Sequence, residues 1–258
     1  MSVLTNCAFI PVRAGSKRIR NKNLKLLNGK PLLTYIINAA LNSRCFENDN
    51  ICVISDDSRA LDVAIEMGVQ AIEIPTTMAD DHSPILPVLQ TACESKTGTA
   101  ADLICYLRAT SPFVSPSTIQ NAIKLLIESQ SPTWPSTIDS VVSVQAVTGA
   151  HPSRFKQLDI NSGLLVNAFP EYKEGLQPVS SSSLNALQRN NAVTAMWRDT
   201  LVKKNSLWGE RIRPMVMNNE MESLDINTPF EFAFADGEYV REENQKRIYF
   251  TTFYILML

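Results

Sequence analysis

The sequence has few of the residues on which zinc proteins and disulfide-bonded proteins depend. Its 258 residues include only two histidines and five cysteines, and no pair among them stands at the close spacing of a zinc site. An odd number of scattered cysteines argues against a disulfide framework. Together with the lack of a secretory signal at the N-terminus, this predicts a protein of the reducing cytoplasm.

Long hydrophobic runs and an excess of positive charge are also lacking. The most apolar segment, residues 248–258, has about half the length of a membrane-spanning helix, so we expect no membrane span. Lys and Arg total 24 against 26 Asp and Glu, a net charge of −2, so nucleic-acid binding is not expected. With 45% hydrophobic residues, the chain has the composition of an ordinary folded domain.

Short apolar runs alternate with amphipathic segments along the first half of the chain. The apolar runs are typical of buried strands, and the amphipathic segments between them repeat at helical spacing. Strands are predicted at residues 7–12, 51–54, 69–74, 103–107 and 141–147. This alternation predicts right-handed crossovers and a three-layer, mostly parallel α/β sheet.

The alternation stops near residue 148 and returns near residue 191. The stretch 149–190 is rich in Ser, Asn and Pro, which is typical of an insertion or a flexible loop. We therefore predict a main domain formed by residues 1–148 and 191–247, an inserted segment at 149–190, and an apolar tail at 248–258. The tail is more typical of an edge strand or packing arm than of a membrane or partner contact.

The loop after the first strand is the strongest chemical signal. In an open α/β sheet, ligands bind at the carboxyl ends of the strands, and residues 10–23 read IPVRAGSKRIRNKN. Five cations flank the pair Gly15-Ser16, which favours a cradle for a polyphosphate built from backbone N–H groups and charged side chains. The pattern is neither a Walker loop nor a Rossmann glycine motif. The alternative is a solvated basic loop.

These residues resemble the N-terminal signature of the acylneuraminate cytidylyltransferases, or CMP-sialic acid synthetases, which reads roughly IPARxGSKxIxxKN. Further similar segments follow at residues 29–32, 53–57, 79–83, 107–112, 139–144 and 223–229. The resemblance implies a Rossmann-like sheet of the nucleotide-diphospho-sugar transferase type. It also implies that residues 149–190 form a small dimerisation sub-domain, and hence a homodimer.

The resemblance further implies a reaction and a nucleotide site. Such enzymes join a nine-carbon α-keto acid sugar, a nonulosonic acid, to CMP, using CTP and Mg²⁺ and releasing pyrophosphate. The anomeric hydroxyl attacks the α-phosphate. Arg13, Lys17 and Asp225 are the implied catalytic residues. The implied nucleotide site consists of Arg13, Ala14, Gly15, Ser16, Lys17, Lys22, Asn23 and Ser83.

The implied sugar and metal sites depart from the family pattern at two positions. Asp225 and Asn227 are the implied metal ligands, and Asn227 stands where the family has Asp. From the local sequence alone, Asp225 could instead cap a helix that begins near Thr228. Arg108 replaces a Gln that faces the sugar, and its guanidinium can bind a carboxylate. The implied sugar site consists of Arg108, Thr110, Ser111 and Arg189.

Two other functions stay open at this stage. One is a relative that binds nucleotide or sugar without turnover. Asn227 favours it, together with Ile74 and Ile85, which stand where the family usually has Arg and a small hydroxyl residue. The other is a nucleotidyltransferase for another sugar, such as a 3-deoxy-octulosonate. Within the nonulosonic acids, the motif at residues 109–113 resembles the pseudaminic acid branch, but the sequence does not name the sugar among sialic, legionaminic and pseudaminic acids.

Overall fold

A seven-stranded sheet runs through the middle of the computed structural model, which describes residues 4–80, 83–130, 137–146, 155–169, 187–217 and 219–238. Its strands are β1 (Asn6–Val12), β4 (Ile51–Ser55), β5 (Gln70–Glu73), β6 (Leu103–Leu107), β7 (Ser140–Ala146), β10 (Leu187–Trp197) and β11 (Ile212–Val216). Two short pairs lie outside it: β2 (Leu26–Leu27) with β3 (Lys30–Pro31), and β8 (Lys156–Leu158) with β9 (Leu165–Asn167).

The sheet is parallel except at one strand. Its order is β11-β7-β10-β6-β1-β4-β5, and β10 runs antiparallel to both of its neighbours, β6 and β7. The other neighbouring strands pair in parallel. The expectation of a mostly parallel sheet is therefore confirmed, and the carboxyl ends of its parallel strands lie along one edge.

Helices cover both faces of the sheet. They are α1 (Leu32–Ser43), α2 (Ser58–Glu66), α3 (Ile85–Cys93), α4 (Lys96–Ala100), α5 (Pro116–Glu128), α6 (Arg198–Val202) and α7 (residues 229–238). Apolar residues of α1, α2 and α5 pack in one core cluster, and those of α3 and α6 in a second. The three-layer prediction is confirmed.

Local sequence explains where the helices begin. The side chain of Asp57 accepts a hydrogen bond from the backbone N–H of Arg59 at the start of α2. Ser115 does the same for the N–H of Thr118 at the start of α5, with Pro116 as the first helical residue. Both are standard N-terminal caps, and each places the preceding loop at the carboxyl edge of the sheet.

The cysteines belong to the core. All five are free, and all except Cys45 are buried. Burial raises the pKa of the Cys7 and Cys52 thiols to about 12, so both stay protonated and act as small apolar side chains.

Parts of the predicted insertion and tail lie outside the described residues. Within 149–190, the structure describes the hairpin β8–β9 and residues 187–190, which belong to β10 and pair with β7. The apolar tail at 248–258 is not described. Within the described residues, no helix is long and apolar enough to cross a membrane.

Candidate active site

A cavity of about 350 Å³ opens at the carboxyl edge of the sheet. The ends of β1, β4 and β6 form its floor, and its walls come from the loops after β1 and β6, the residues after β5, and Asn227. An adjoining cavity of about 340 Å³ lies over the loop after β1. The two cavities share four residues: Arg13, Ser16, Lys22 and Asn227.

The loop after β1 is held in place by its neighbours. The backbone N–H of Ala14 donates to Asp56 Oδ1 at 2.9 Å, which ties the loop to the end of β4. The N–H of Ser16 donates to the carbonyl of Ala14 at 3.0 Å. Arg13 Nη1 donates to the carbonyl of Asp80 at 3.3 Å. The loop thus lies between the two cavities, with Arg13 and Lys22 lining both and Lys17 and Arg18 lining the adjoining one.

Lys22 connects this loop to a segment more than two hundred residues later. It opens a short 3₁₀ helix, Lys22–Leu24. Its Nζ donates to the carbonyl of Ile226 at 2.5 Å and to Asn227 Oδ1 at 3.4 Å. Burial lowers the pKa of Lys22, with Arg108 and Arg13 adding to the effect and Asp225 opposing it. The ammonium group is therefore a desolvated cation, and anionic ligands stabilise such a group strongly.

Asp225 is surrounded by hydrogen-bond donors. Its Oδ2 accepts from Arg108 Nη1 at 2.8 Å and from Asn227 Nδ2 at 3.0 Å, and its Oδ1 accepts from Thr110 Oγ1. Tyr106 flanks the Arg108 guanidinium as well. Burial acts to lower the pKa of Arg108, but Tyr106 and Asp225 outweigh it, so the pKa is raised overall. The result is a partly buried ion pair on the cavity wall.

The structure overturns the helix-cap alternative for Asp225. The cap of α7 is Thr228, whose Oγ1 accepts from the N–H of Glu231 at 3.2 Å. The Glu231 carboxylate accepts in return from the N–H groups of Thr228 and Asn227, at 2.8 and 2.6 Å. This reciprocal arrangement is a capping box. Asp225 lies before it and points to Arg108, so its side chain has no role in the cap.

The residues at Asp225 do not form a divalent-metal site in this arrangement. A protein-held Mg²⁺ needs open carboxylate oxygens, whereas both Asp225 oxygens already accept hydrogen bonds and Asn227 turns its amide nitrogen toward them. Among the described residues, no group of three or more His, Cys, Asp or Glu side chains could hold a metal ion. The assignment of Asp225 and Asn227 as metal ligands stays a prediction, and it requires these donors to move.

Most of the predicted nucleotide residues meet at the cavities. Lys17 lines the adjoining cavity. Ala14 and Gly15 line neither cavity and belong to the loop that carries Arg13, Ser16 and Lys17. A Cβ added at Gly15 would meet no atom within 4 Å, so the missing side chain leaves open space beside the loop. The predicted residues that line the main cavity are Arg13, Ser16, Lys22, Asn23 and Ser83.

The predicted sugar residues divide into two groups. Arg108 and Thr110 line the main cavity. Ser111 is fully buried and does not line either cavity, and the Arg189 guanidinium stacks on the ring of Trp208, 3.8 Å from its centroid. A sugar-binding role for Ser111 and Arg189 stays a prediction that this arrangement does not support.

Sequence reasoning missed Tyr106 and Asp56. Tyr106 lines the cavity from β6, and the available signal was a single aromatic residue with a polar end inside an otherwise aliphatic strand. Asp56 belongs to the family-like segment 53–57, but sequence reasoning gave it no role in the site. In the structure Asp57 supplies the cap of α2, and Asp56 holds the loop at Ala14. The two neighbouring carboxylates thus have different tasks.

A mostly parallel α/β sheet with a cation-lined cavity at its carboxyl edge is the architecture of an α/β protein that binds an anionic ligand at this edge. Two solved structures have this fold. A CMP:2-keto-3-deoxy-manno-octonic acid synthetase complexed with CTP aligns with a TM-score of 0.65 at 17% identity, over 92% of this chain and 99% of that one. A 4-diphosphocytidyl-2C-methyl-D-erythritol synthase from Anaerococcus prevotii gives 0.61 at 10% identity, over 92% and 96%.

The family is narrower than the fold. The family model described as cytidylyltransferase matches residues 7–250, so the chain belongs to the cytidylyltransferase family and is a nucleotidyltransferase. The CMP-N,N'-diacetyllegionaminic acid synthase of Legionella pneumophila is 30% identical over 246 residues, which cover 93% of this chain and 98% of that one. The resemblance found in the sequence is thereby confirmed.

Two further relatives match over part of their own length. The pseudaminic acid cytidylyltransferase of Campylobacter jejuni is 35% identical over 131 residues, which cover 50% of this chain and 56% of that protein. The N-acylneuraminate cytidylyltransferase of Streptococcus agalactiae is 25% identical over 249 residues, which cover 94% of this chain and 56% of that protein.

Proposed function

We propose that this protein transfers CMP from CTP to a nonulosonic acid and releases pyrophosphate. The observation that carries the proposal is the cavity at the carboxyl edge of the sheet, where the side chains of Arg13, Lys22 and Arg108 meet. Three cations around one cavity suit a ligand with several negative charges, such as a nucleoside triphosphate. The names of the relatives supply the base and the class of sugar.

The nucleotide is proposed to lie between the loop after β1 and the cavity residues 78–80 and 83–85. Asn23 is nearly buried, and its Oδ1 has no hydrogen-bond partner among the described residues. A buried acceptor of this kind is costly unless a ligand donates to it. A ribose hydroxyl or the cytosine amino group can donate such a bond, which supports the assignment of Asn23 to the nucleotide site.

The reaction is a displacement at the α-phosphorus. The anomeric oxygen of the sugar forms a bond to the α-phosphorus as the bond to the β-phosphate oxygen breaks. The electron pair leaves with pyrophosphate, and the hydroxyl proton is released to water. Such a transfer depends mainly on positioning and on stabilising negative charge. In this proposal Arg13, Lys17 and Lys22 stabilise the triphosphate, and Arg108 faces the sugar carboxylate or the α-phosphate.

Cytidylyltransferases typically use a divalent metal ion. We propose Mg²⁺ for this protein, arriving on the phosphates of CTP, since Mg²⁺ often takes most of its ligands from substrate and water. The predicted ligands Asp225 and Asn227 would contact the metal–nucleotide complex only after the donors that now bond to Asp225 had moved.

The direct test measures pyrophosphate release with CTP and Mg²⁺ against sialic, legionaminic and pseudaminic acids and 3-deoxy-octulosonate. We expect release with CTP and one or more nonulosonic acids, and none with ATP, GTP or UTP in their place. Release with the octulosonate alone would establish the alternative sugar class. A folded protein that binds CTP but releases no pyrophosphate with any acid would be a binding relative without turnover.

A homodimer is proposed through the hairpin β8–β9. Leu158 and Leu165 are cross-strand partners in this hairpin, with 61% and 73% of their surfaces exposed, and Ile160 at its tip is also exposed. An apolar surface of this kind is typical of a protein contact. Because the resemblance to the acylneuraminate cytidylyltransferases implies a dimerisation sub-domain here, the proposed occupant is a second copy of the chain.

Charge on the apolar side of the hairpin is expected to dissociate the dimer. Leu165→Glu would desolvate a carboxylate at the contact, so sedimentation velocity should show monomer where the unmodified protein is a dimer. Gln157→Glu adds the same charge at an exposed position of the same hairpin and should leave the dimer intact. An unmodified protein that sediments as a monomer would contradict the proposal.

A cytoplasmic location is also proposed. Its support is that all five cysteines are free. Free buried thiols are ordinary in a reducing compartment.

A further inference from the structure

Two departures from the family pattern meet on one carboxylate. Arg108 stands where the pattern has Gln, and Asn227 stands where it has Asp. In the folded chain, Arg108 Nη1 lies 2.8 Å from Asp225 Oδ2, and Asn227 Nδ2 lies 3.0 Å from the same oxygen. Two changes that are distant in sequence therefore alter the surroundings of a single group.

Together these changes make the surroundings of Asp225 more positive. Arg13, Arg108, Asp225 and Glu231 all act on the nearby Lys22, so charge at this point is felt across the site. Arg108 is a cation where the pattern has the neutral Gln, and Asn227 is neutral where the pattern has a carboxylate, so each change adds one positive charge. The difference of two positive charges equals the charge of one divalent ion.

The Arg108 guanidinium is placed to act on a ligand as well as on Asp225. Its side chain is 35% exposed and lines the main cavity. A guanidinium carries five N–H donors in a fixed plane, of which Nη1 contacts Asp225. Thr110 holds the other oxygen of Asp225, so the carboxylate is fixed from two sides and keeps the guanidinium at the cavity wall.

We propose that the Arg108 guanidinium takes the place of one divalent cation at Asp225, and that the nucleotide-free protein binds no divalent ion there. Positive charge at this point stabilises the phosphate oxygens of the bound nucleotide, as a metal ion would. Asp225 is then a positioning residue for Arg108. That the anion is a nucleotide rests on the proposed function, but the replacement of a divalent ion by the Arg108 guanidinium does not.

The test compares metal binding by variants in which the residues of the family pattern are restored at positions 108 and 227. Mn²⁺ binding to the nucleotide-free protein is measured by electron paramagnetic resonance for the unmodified chain, Arg108→Gln, Asn227→Asp and the double variant. We expect the double variant to bind Mn²⁺ at least about tenfold more tightly than the unmodified chain, because two charges within a few ångströms have changed. Asp225→Asn in the double-variant background should abolish the gain.

Two controls separate charge from folding. Arg108→Lys keeps the positive charge and should bind Mn²⁺ as weakly as the unmodified chain, and Arg211→Gln removes an exposed arginine elsewhere and should change nothing. Thermal melting confirms that each variant is folded. The proposal is overturned if the unmodified chain binds Mn²⁺ as tightly as the double variant. Since no sugar or turnover is involved, this result is independent of the pyrophosphate assay.

Discussion

Lys22→Met is expected to lower kcat/KM for CTP by about a hundredfold or more, because it removes a positioned cation from the site of developing phosphate charge. Methionine has no N–H donor, so the hydrogen bond to the Ile226 carbonyl is lost. Its side chain has a length similar to that of lysine, so the packing is largely kept. Steady-state rates of pyrophosphate release at varied CTP measure the effect. Lys22→Arg should recover only part of the rate, because a guanidinium has a different shape and donor geometry.

The same residue predicts a pH dependence. Burial lowers the pKa of Lys22, so the ammonium group loses its proton at a lower pH than an exposed lysine does. Affinity for CTP should therefore fall as the pH rises into the alkaline range, and Lys22→Met should lack this decrease. Lys124→Met removes a cation from the exposed face of α5 and should match the unmodified chain at every pH. If Lys22→Met released pyrophosphate as fast as the unmodified chain, the assignment of Lys22 to the triphosphate site would be contradicted.

Asp225→Asn is expected to reduce kcat/KM by about a hundredfold. The amide cannot balance the charge of Arg108 and turns a donor toward it, so the guanidinium loses the partner that holds it on the cavity wall. The measurement is the rate of pyrophosphate release, together with the melting temperature. Asp62→Asn, a change at an exposed position of α2, should leave both unchanged.

A double-mutant cycle with Arg108 shows how Asp225 acts. If Asp225 works by positioning Arg108, the double variant Arg108→Gln, Asp225→Asn should be little slower than Asp225→Asn alone, since the two residues act as one unit. If the two losses multiply instead, Asp225 has a separate role, such as metal binding. A merely structural role would lower the melting temperature without this non-additivity.

The order of strands and helices could be predicted from local sequence alone. β6 is observed at Leu103–Leu107, as its apolar run indicated, and α5 begins at Pro116 after the Ser115 cap. The loop after β1 could also be recognised, because its five cations and its Gly-Ser pair are contiguous. These features depend on neighbouring residues, whose periodicity and turn chemistry are written along the chain.

The antiparallel direction of β10 could not be predicted in this way. Its residues read as an ordinary strand, and the long segment before it permits either direction. Pairing with both β6 and β7 decides the direction, and this pairing joins residues that are distant in sequence. The burial of Ser111 and the stacking of Arg189 on Trp208 also depend on contacts between distant parts of the chain, so local sequence could not predict them.

By itself, the sequence determined that this chain is an α/β cytidylyltransferase with a cation-rich loop after its first strand, because contiguous motifs carry that information. Only the tertiary structure decided what surrounds Asp225. Arg108 follows β6, Asn227 precedes α7 and Lys22 follows β1, and each residue alone is compatible with several roles. The fold brings Arg108 and Asn227 within hydrogen-bond distance of Asp225 and Lys22 within hydrogen-bond distance of Asn227. At these distances charge and desolvation determine which role each residue can have.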